Sequence, residues 1–126
     1  QTSRFQLAMH VAGNLYMNGV KGYAYEKDAV KSNTDAKVKL EKTDEGIVLK
    51  ITVDGDYDKV KTQQITTELL GKTYYSNGYY ENPDGTPLTI DKDLLGNPRS
   101  ASAPKVGPFE NLKRGENTIM VWKFKK

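Results

Sequence analysis

Apolar and polar residues alternate most regularly around the middle of the chain. Val38 and Leu40 alternate with Lys37, Lys39 and Glu41, and Ile47, Leu49, Ile51 and Val53 alternate with Val48, Lys50 and Thr52. A period of two puts each set on one side of a strand. The connection Thr43-Asp-Glu-Gly46 offers a glycine for a positive backbone angle, so the pattern predicts a β-hairpin. Near the end, Thr118, Met120, Trp122 and Phe124 alternate with Ile119, Val121 and Lys123. This predicts a terminal strand over 117–125, buried on its aromatic side.

The remaining pattern is more broken. Phe5, Leu7 and Met9 alternate with Arg4, Gln6 and Ala8, and Leu15-Tyr16-Met17 leads into the turn pair Asn18-Gly19; both read as strands. Residues 21–35 carry few aliphatics and read as loop, with a helical turn over 26–30 as an option. Residues 63–70 are read as a strand because Thr66-Thr67 favours β, although Glu68-Leu-Leu-Gly71 also suits one helical turn with a glycine stop. Asn82-Pro-Asp-Gly85 has the residues of a turn, 88–90 read as a short strand, and 100–108 should run over the surface.

Short strands, turn signals and no long amphipathic helix predict an all-β fold: an antiparallel β-sandwich, or alternatively a partly open β-barrel, with a long irregular loop after the central strands. A chain of 126 residues suits one domain, 1–126, with 1–20 open to a second reading as the end of an upstream domain. No constant repeat runs through it, which argues against a complete β-helix within these residues.

Composition changes this picture in a few places. At 37% hydrophobic and 28% charged residues the chain can build a core. The net charge of +3 is spread out, and the cluster Lys123, Lys125 and Lys126 is too small for a nucleic-acid platform. With no cysteine there is neither a disulfide framework nor a thiolate metal site. No apolar run spans a membrane and no signal segment opens the chain, whose first residue is Gln. Because 4–16 reads like the middle of a protein, the chain is expected to be a fragment of a larger one.

The stretch from Tyr80 to Arg99 is dense in turn residues yet ordered in spacing. Its core Asp91-x-Asp93-x-x-Gly96-x-x-Arg99, closed by Gly107-Pro-Phe-Glu110, resembles a segment near the C-terminal end of secreted right-handed β-helix proteins. Together with Gly13-Asn-Leu-Tyr16, Gly19 and Thr66-Thr-Glu-Leu-Leu-Gly-Lys72, it is similar to the C-terminal accessory region of bacterial β-helix glycoside hydrolases and polysaccharide lyases. The resemblance implies a non-catalytic accessory domain, secreted, periplasmic or on the bacterial cell surface, whose partner is the upstream catalytic β-helix domain of the same protein. It brings no family catalytic residue onto this chain and implies no cofactor. Two alternatives stay open: an autonomous carbohydrate-binding module that contacts polysaccharide, and a glycosidase half-site completed by another domain.

Candidate chemistry is sparse. His10 is the sole histidine, which removes Ser-His-Asp and multi-histidine metal arrangements, and it reads as a packing or hydrogen-bonding residue. Asp54, Asp56 and Asp58 resemble the opening of a calcium loop, but Lys59 and Ile65 stand where glycine and glutamate are needed, so a solvated turn is the preferred reading and no metal is expected. Asp91 and Asp93 with Arg99 are read as a structural clamp in which carboxylates accept loop amides or the guanidinium fork. Glu68, Glu81 and Glu110 are the least arbitrary glycosidase carboxylates, each better explained as a surface or loop-bracing residue. Tyr74, Tyr75, Tyr79 and Tyr80, around Ser76-Asn-Gly78, could stack on a pyranose and form the candidate carbohydrate-binding group.

Overall fold

A computed structural model describes residues 10–126 of the chain. The strand expected at Phe5, Leu7 and Met9 lies outside the described residues. The central hairpin consists of β3, Lys39–Lys42, and β4, Gly46–Val53, preceded by the two-residue strands β1, Leu15–Tyr16, and β2, Val30–Lys31. Its turn is closed by Thr43, whose N–H donates to the Gly46 carbonyl at 2.8 Å while its hydroxyl accepts the N–H groups of Glu45 and Gly46. The long terminal strand β5, Gly115–Lys123, pairs antiparallel along the other side of β4, giving the order β3-β4-β5.

Gly46 serves this hairpin differently from the expectation. Its backbone angle is not among the positive ones. A Cβ there would lie 2.0 Å from the Trp122 carbonyl oxygen and 2.7 Å from the Met120 sulfur, so the glycine permits close approach of β5. At the same place the β4–β5 register shifts between Ile47 and Val48. An extra residue there turns later side chains over. Trp122 therefore pairs with Ile47 and joins the side of Leu49 and Ile119, and it is 66% exposed, which corrects its expected burial.

Cross-strand partners share a side of a sheet. By the registers, Leu40, Ile47, Leu49, Ile51, Val53, Ile119 and Trp122 project one way, and Glu41, Val48, Lys50, Thr118 and Met120 the other. Among the described residues the buried hydrophobic core consists of Ala36, Val48, Val53, Tyr57 and Phe109. Among the described residues no large side chain is fully enclosed. Tyr57 opens a 3-10 turn, Tyr57–Lys59, and its hydroxyl donates to the Phe109 carbonyl at 2.9 Å, tying the irregular segment to the end of β4. Burial pushes the Tyr57 phenol up to about 12.

Several local expectations are corrected. Residues 21–35 hold no helical turn; β2 lies within them and pairs parallel with β1, Leu15 opposite Val30 and Tyr16 opposite Lys31, extended by a parallel bridge from Ala12 to Lys27. Nothing in local spacing announces a two-residue strand whose partner is this far away. Residues 63–70 contain the helical turn α1, Thr67–Leu70, instead of a strand. The Thr66 hydroxyl caps it by accepting the Leu69 N–H at 3.1 Å, and Gly71 ends it at φ +69°. Residues 88–90 make only an isolated bridge, Thr66 to Thr89. The Asn82 turn forms, with the Gly85 N–H donating to the Asn82 carbonyl at 2.8 Å. Strands dominate and the sheets are open, not closed into a barrel, so the fold is all-β and consistent with a sandwich.

Candidate functional site

The tyrosine loop follows directly from α1. Lys72 bridges Tyr79 across it, the Thr73 N–H donates to the Gly78 carbonyl at 2.8 Å, and the hydroxyls of Thr73 and Ser76 are hydrogen bonded. Asn77 takes a left-handed conformation, φ +54°, which short polar side chains tolerate. All four rings are exposed, Tyr75 the most at 82%. Tyr74 and Tyr75 meet edge to face, centroids 5.1 Å apart with planes at 90°, and the Lys72 ammonium sits 5.0 Å from the Tyr79 ring centre. The four rings thus share one braced loop without forming a single flat platform. Tyr75 offers the largest free ring, with phenol hydroxyls available to orient a sugar.

The clamp is built around three side chains. Asp93, buried, accepts the N–H groups of Leu95 and Asn97 at 2.9 Å on one oxygen, and on the other the Glu110 N–H at 3.0 Å. The Glu110 N–H, followed by the other loop donors, holds the Asp93 carboxyl below the usual aspartate range. The Arg99 guanidinium does not reach an aspartate; it pairs with Glu110 at 3.2 Å and donates to the carbonyls of Lys92, Lys105 and Gly107. Glu110 in turn accepts the N–H groups of Ser100 and Lys105, each at 3.0 Å. Asp91 contributes through its backbone, its carbonyl accepting the Arg99 N–H at 2.8 Å while its side chain is exposed. Every link serves loop geometry, and the carboxylates of both Asp93 and Glu110 are engaged in it.

The other candidate groups are dispersed or already partnered. Asp54 accepts the Asp56 N–H and the Thr34 hydroxyl; Asp56 pairs with Lys59 at 2.8 Å, and Asp58 with Lys105 and Arg114. Hydrogen bonds from Lys59 and from Arg114, respectively, hold the Asp56 and Asp58 carboxyls low. Among the described residues no group of three or more His, Cys, Asp or Glu is placed to hold a metal ion. Glu68 and Glu81 are exposed, whereas Glu110 is held within the clamp. His10 lies on the wall of a broad groove of about 1070 Å³, which Tyr25, Gln64, Ile65, Ile90 and Val106 also line.

Sequence spacing missed three features. Tyr23 and Tyr25 form a second exposed edge-to-face pair, centroids 5.6 Å apart; their separation by one residue was the available signal. Trp122 is an exposed ring because of the register shift in β5. Glu110 is the ion partner of Arg99, a role that only the folded loop reveals.

Comparison with known proteins adds one relation. No protein-family model matches the chain, and no curated protein does. The chain is similar to part of XylC. That protein was solved in complex with xylose; the match has a TM-score of 0.79 at 29% identity and takes in 88% of this chain. It spans only 17% of the XylC chain. The relation is to a small portion of a larger, carbohydrate-associated protein. Among the described residues no helix is long and apolar enough to cross a membrane.

Proposed function

We propose that this chain is a non-catalytic accessory portion of a larger bacterial carbohydrate-active protein, a glycoside hydrolase or polysaccharide lyase of secreted or surface-exposed type. The observation that carries the reading is the XylC likeness: nearly all of this chain corresponds to less than a fifth of that one. The engagement of Glu110 with Arg99 and the loop amides supports the non-catalytic part, since glycoside hydrolysis needs two available carboxylates across a sugar-holding cleft. The parallel pairing of β1 with β2 supports a β-helix neighbour as the structural context, because parallel ladders are ordinarily covered by further chain. Assay of xylo-oligosaccharides and acidic glycans with the pure 126-residue chain and with the longer polypeptide tests this. Turnover is expected from the longer polypeptide alone; turnover by the isolated chain, lost on changing Glu68, Glu81 or Glu110, overturns it.

A second reading is favoured by the exposure of the tyrosine loop. Here Tyr74, Tyr75, Tyr79 and Tyr80 contact a neutral oligosaccharide by stacking, with affinity on the order of 10 μM to 1 mM, in the range of a small, solvent-open ligand contact. Titration of xylo-oligosaccharides into wild type and into Tyr75→Ala, Tyr79→Ala protein decides it. Binding by wild type that the double variant lacks supports this reading, and no binding by wild type ends it.

A further inference from the structure

The geometry points to the apolar side of the three-stranded sheet as the surface on which this chain docks against another part of the same, longer polypeptide. The inference rests on the accessory reading above and specifies where the accessory portion is held.

The two sides of the sheet differ in kind. One presents Glu41, Lys50 and Thr118 around Val48 and Met120, and its charges are internally matched, Glu41 pairing with Lys39 at 3.0 Å and Lys50 at 3.4 Å. The other presents Leu40, Ile47, Leu49, Ile51, Ile119 and Trp122. A sandwich would cover that side with a second sheet. Here the irregular segment takes that place only towards the Val53 end, where Leu95, Asn97 and Phe109 share a small cavity with Asn117 and Ile119. The hairpin end and the β3 edge stay open: Leu40 and Trp122 are each 66% exposed, and Val38, which precedes β3 at the end away from the turn, 63%. A contiguous group of large apolar residues of this kind marks a contact surface more often than a free one.

Two observations select the occupant. First, the similar portion of XylC belongs to a chain of which it forms 17%, so most of that polypeptide is available to pack against it. Secondly, a second copy is disfavoured by charge. Lys42, paired with Ile47, projects on the same side as Leu40 and Trp122. Face-to-face packing of two copies would set this lysine against its counterpart or against apolar side chains, and a like or unpaired charge at a contact opposes association. An apolar neighbour with acidic groups at its rim satisfies both the face and its border.

Site-specific thiol labelling tests the inference, because the chain has no cysteine of its own. Leu40→Cys and, separately, Val38→Cys report the face, and Asp44→Cys at the exposed hairpin tip is the reference. Each is placed in the 126-residue chain and in the longer polypeptide, and maleimide incorporation at that peptide is followed by mass spectrometry. The face-to-tip rate ratio is expected to fall at least tenfold in the longer polypeptide. A smaller fall for both face positions overturns the inference, as does a ratio that already falls with concentration in the isolated chain, which would mean a second copy. A parent reading frame no longer than these 126 residues overturns it too. Glycan turnover measured on the same longer polypeptide separates the two readings: protection without turnover leaves the docking surface and removes the carbohydrate function, and turnover without protection does the reverse.

Discussion

The three-stranded sheet and the irregular segment between α1 and β5 are held by different means. In the sheet, regular backbone pairing along β3, β4 and β5 sets the geometry, while one apolar side is left partly open. In the segment, regular backbone pairing is reduced to isolated bridges, and side chains supply the order: Asp93, Arg99 and Glu110 reach backbone groups from Lys92 to Glu110. Backbone ladders tolerate many side chains at exposed positions, so the sheet should be sensitive only where backbones crowd. A loop ordered by three polar side chains should be sensitive wherever one of them is removed, since buried partners are then left unsatisfied.

The largest effect is expected where the sheet is crowded. Gly46→Ala forces a methyl group against the Trp122 carbonyl, a backbone atom that cannot swing away, and should cost about 3 kcal/mol by urea unfolding. A change below about 0.5 kcal/mol would mean that β5 is free to move off β4, and the contrast between the regions would break.

Next comes the clamp. Arg99→Ala should cost about 1–3 kcal/mol, because Glu110 and the Lys105 and Gly107 carbonyls lose their shared donor. Paired with Glu110→Gln in a double-mutant cycle, it should show coupling of about 0.5 kcal/mol or more. Additive losses would show that the two side chains act separately. Asp93 sharpens the same point through pH. Its folded-state carboxyl lies below its unfolded value, so its stabilisation is complete above the unfolded range and drains as pH falls towards the lower folded value. The urea midpoint of wild type should therefore fall in acid more steeply than that of Asp93→Asn; parallel acid limbs would remove Asp93 from the clamp.

A smaller effect is expected at the joint between the regions. Tyr57→Phe removes the donor to the buried Phe109 carbonyl and should cost about 1 kcal/mol at neutral pH. The folded Tyr57 phenol, pushed up to about 12, lies above its unfolded value of about 10. Its contribution is thus complete below about pH 10 and is lost as pH rises towards 12, so the gap between wild type and variant should close over that window. A gap independent of pH would locate the loss elsewhere.

The smallest effect belongs to the open side of the sheet. Trp122→Ser in the isolated chain should change stability by no more than about 0.5 kcal/mol, the range of exposed substitutions. A loss above 2 kcal/mol would mean that the ring is packed within this chain, and the distinction between ladder and face would no longer hold.

Period-two alternation was enough to read the hairpin, because side chains one residue apart must face opposite ways and Thr43 supplies the turn locally. The Asn82 turn and the ordered loop from Asp91 to Arg99 were legible for the same reason: Pro83, Gly85, Gly96 and Asp93 act within a few residues of themselves. Tertiary structure decided what distance in sequence conceals. The parallel mate of β1 lies in a stretch without alternation, α1 won over a strand through its Thr66 cap, and the register shift beside Gly46 turned Trp122 outward. The same holds for Arg99, whose fork found Glu110 and not a nearby aspartate because the returning chain carries Glu110 back across the loop. Local chemistry follows from bonded neighbours and fixed backbone geometry, whereas partner choice depends on which distant segments close up, and single-chain spacing holds little record of that.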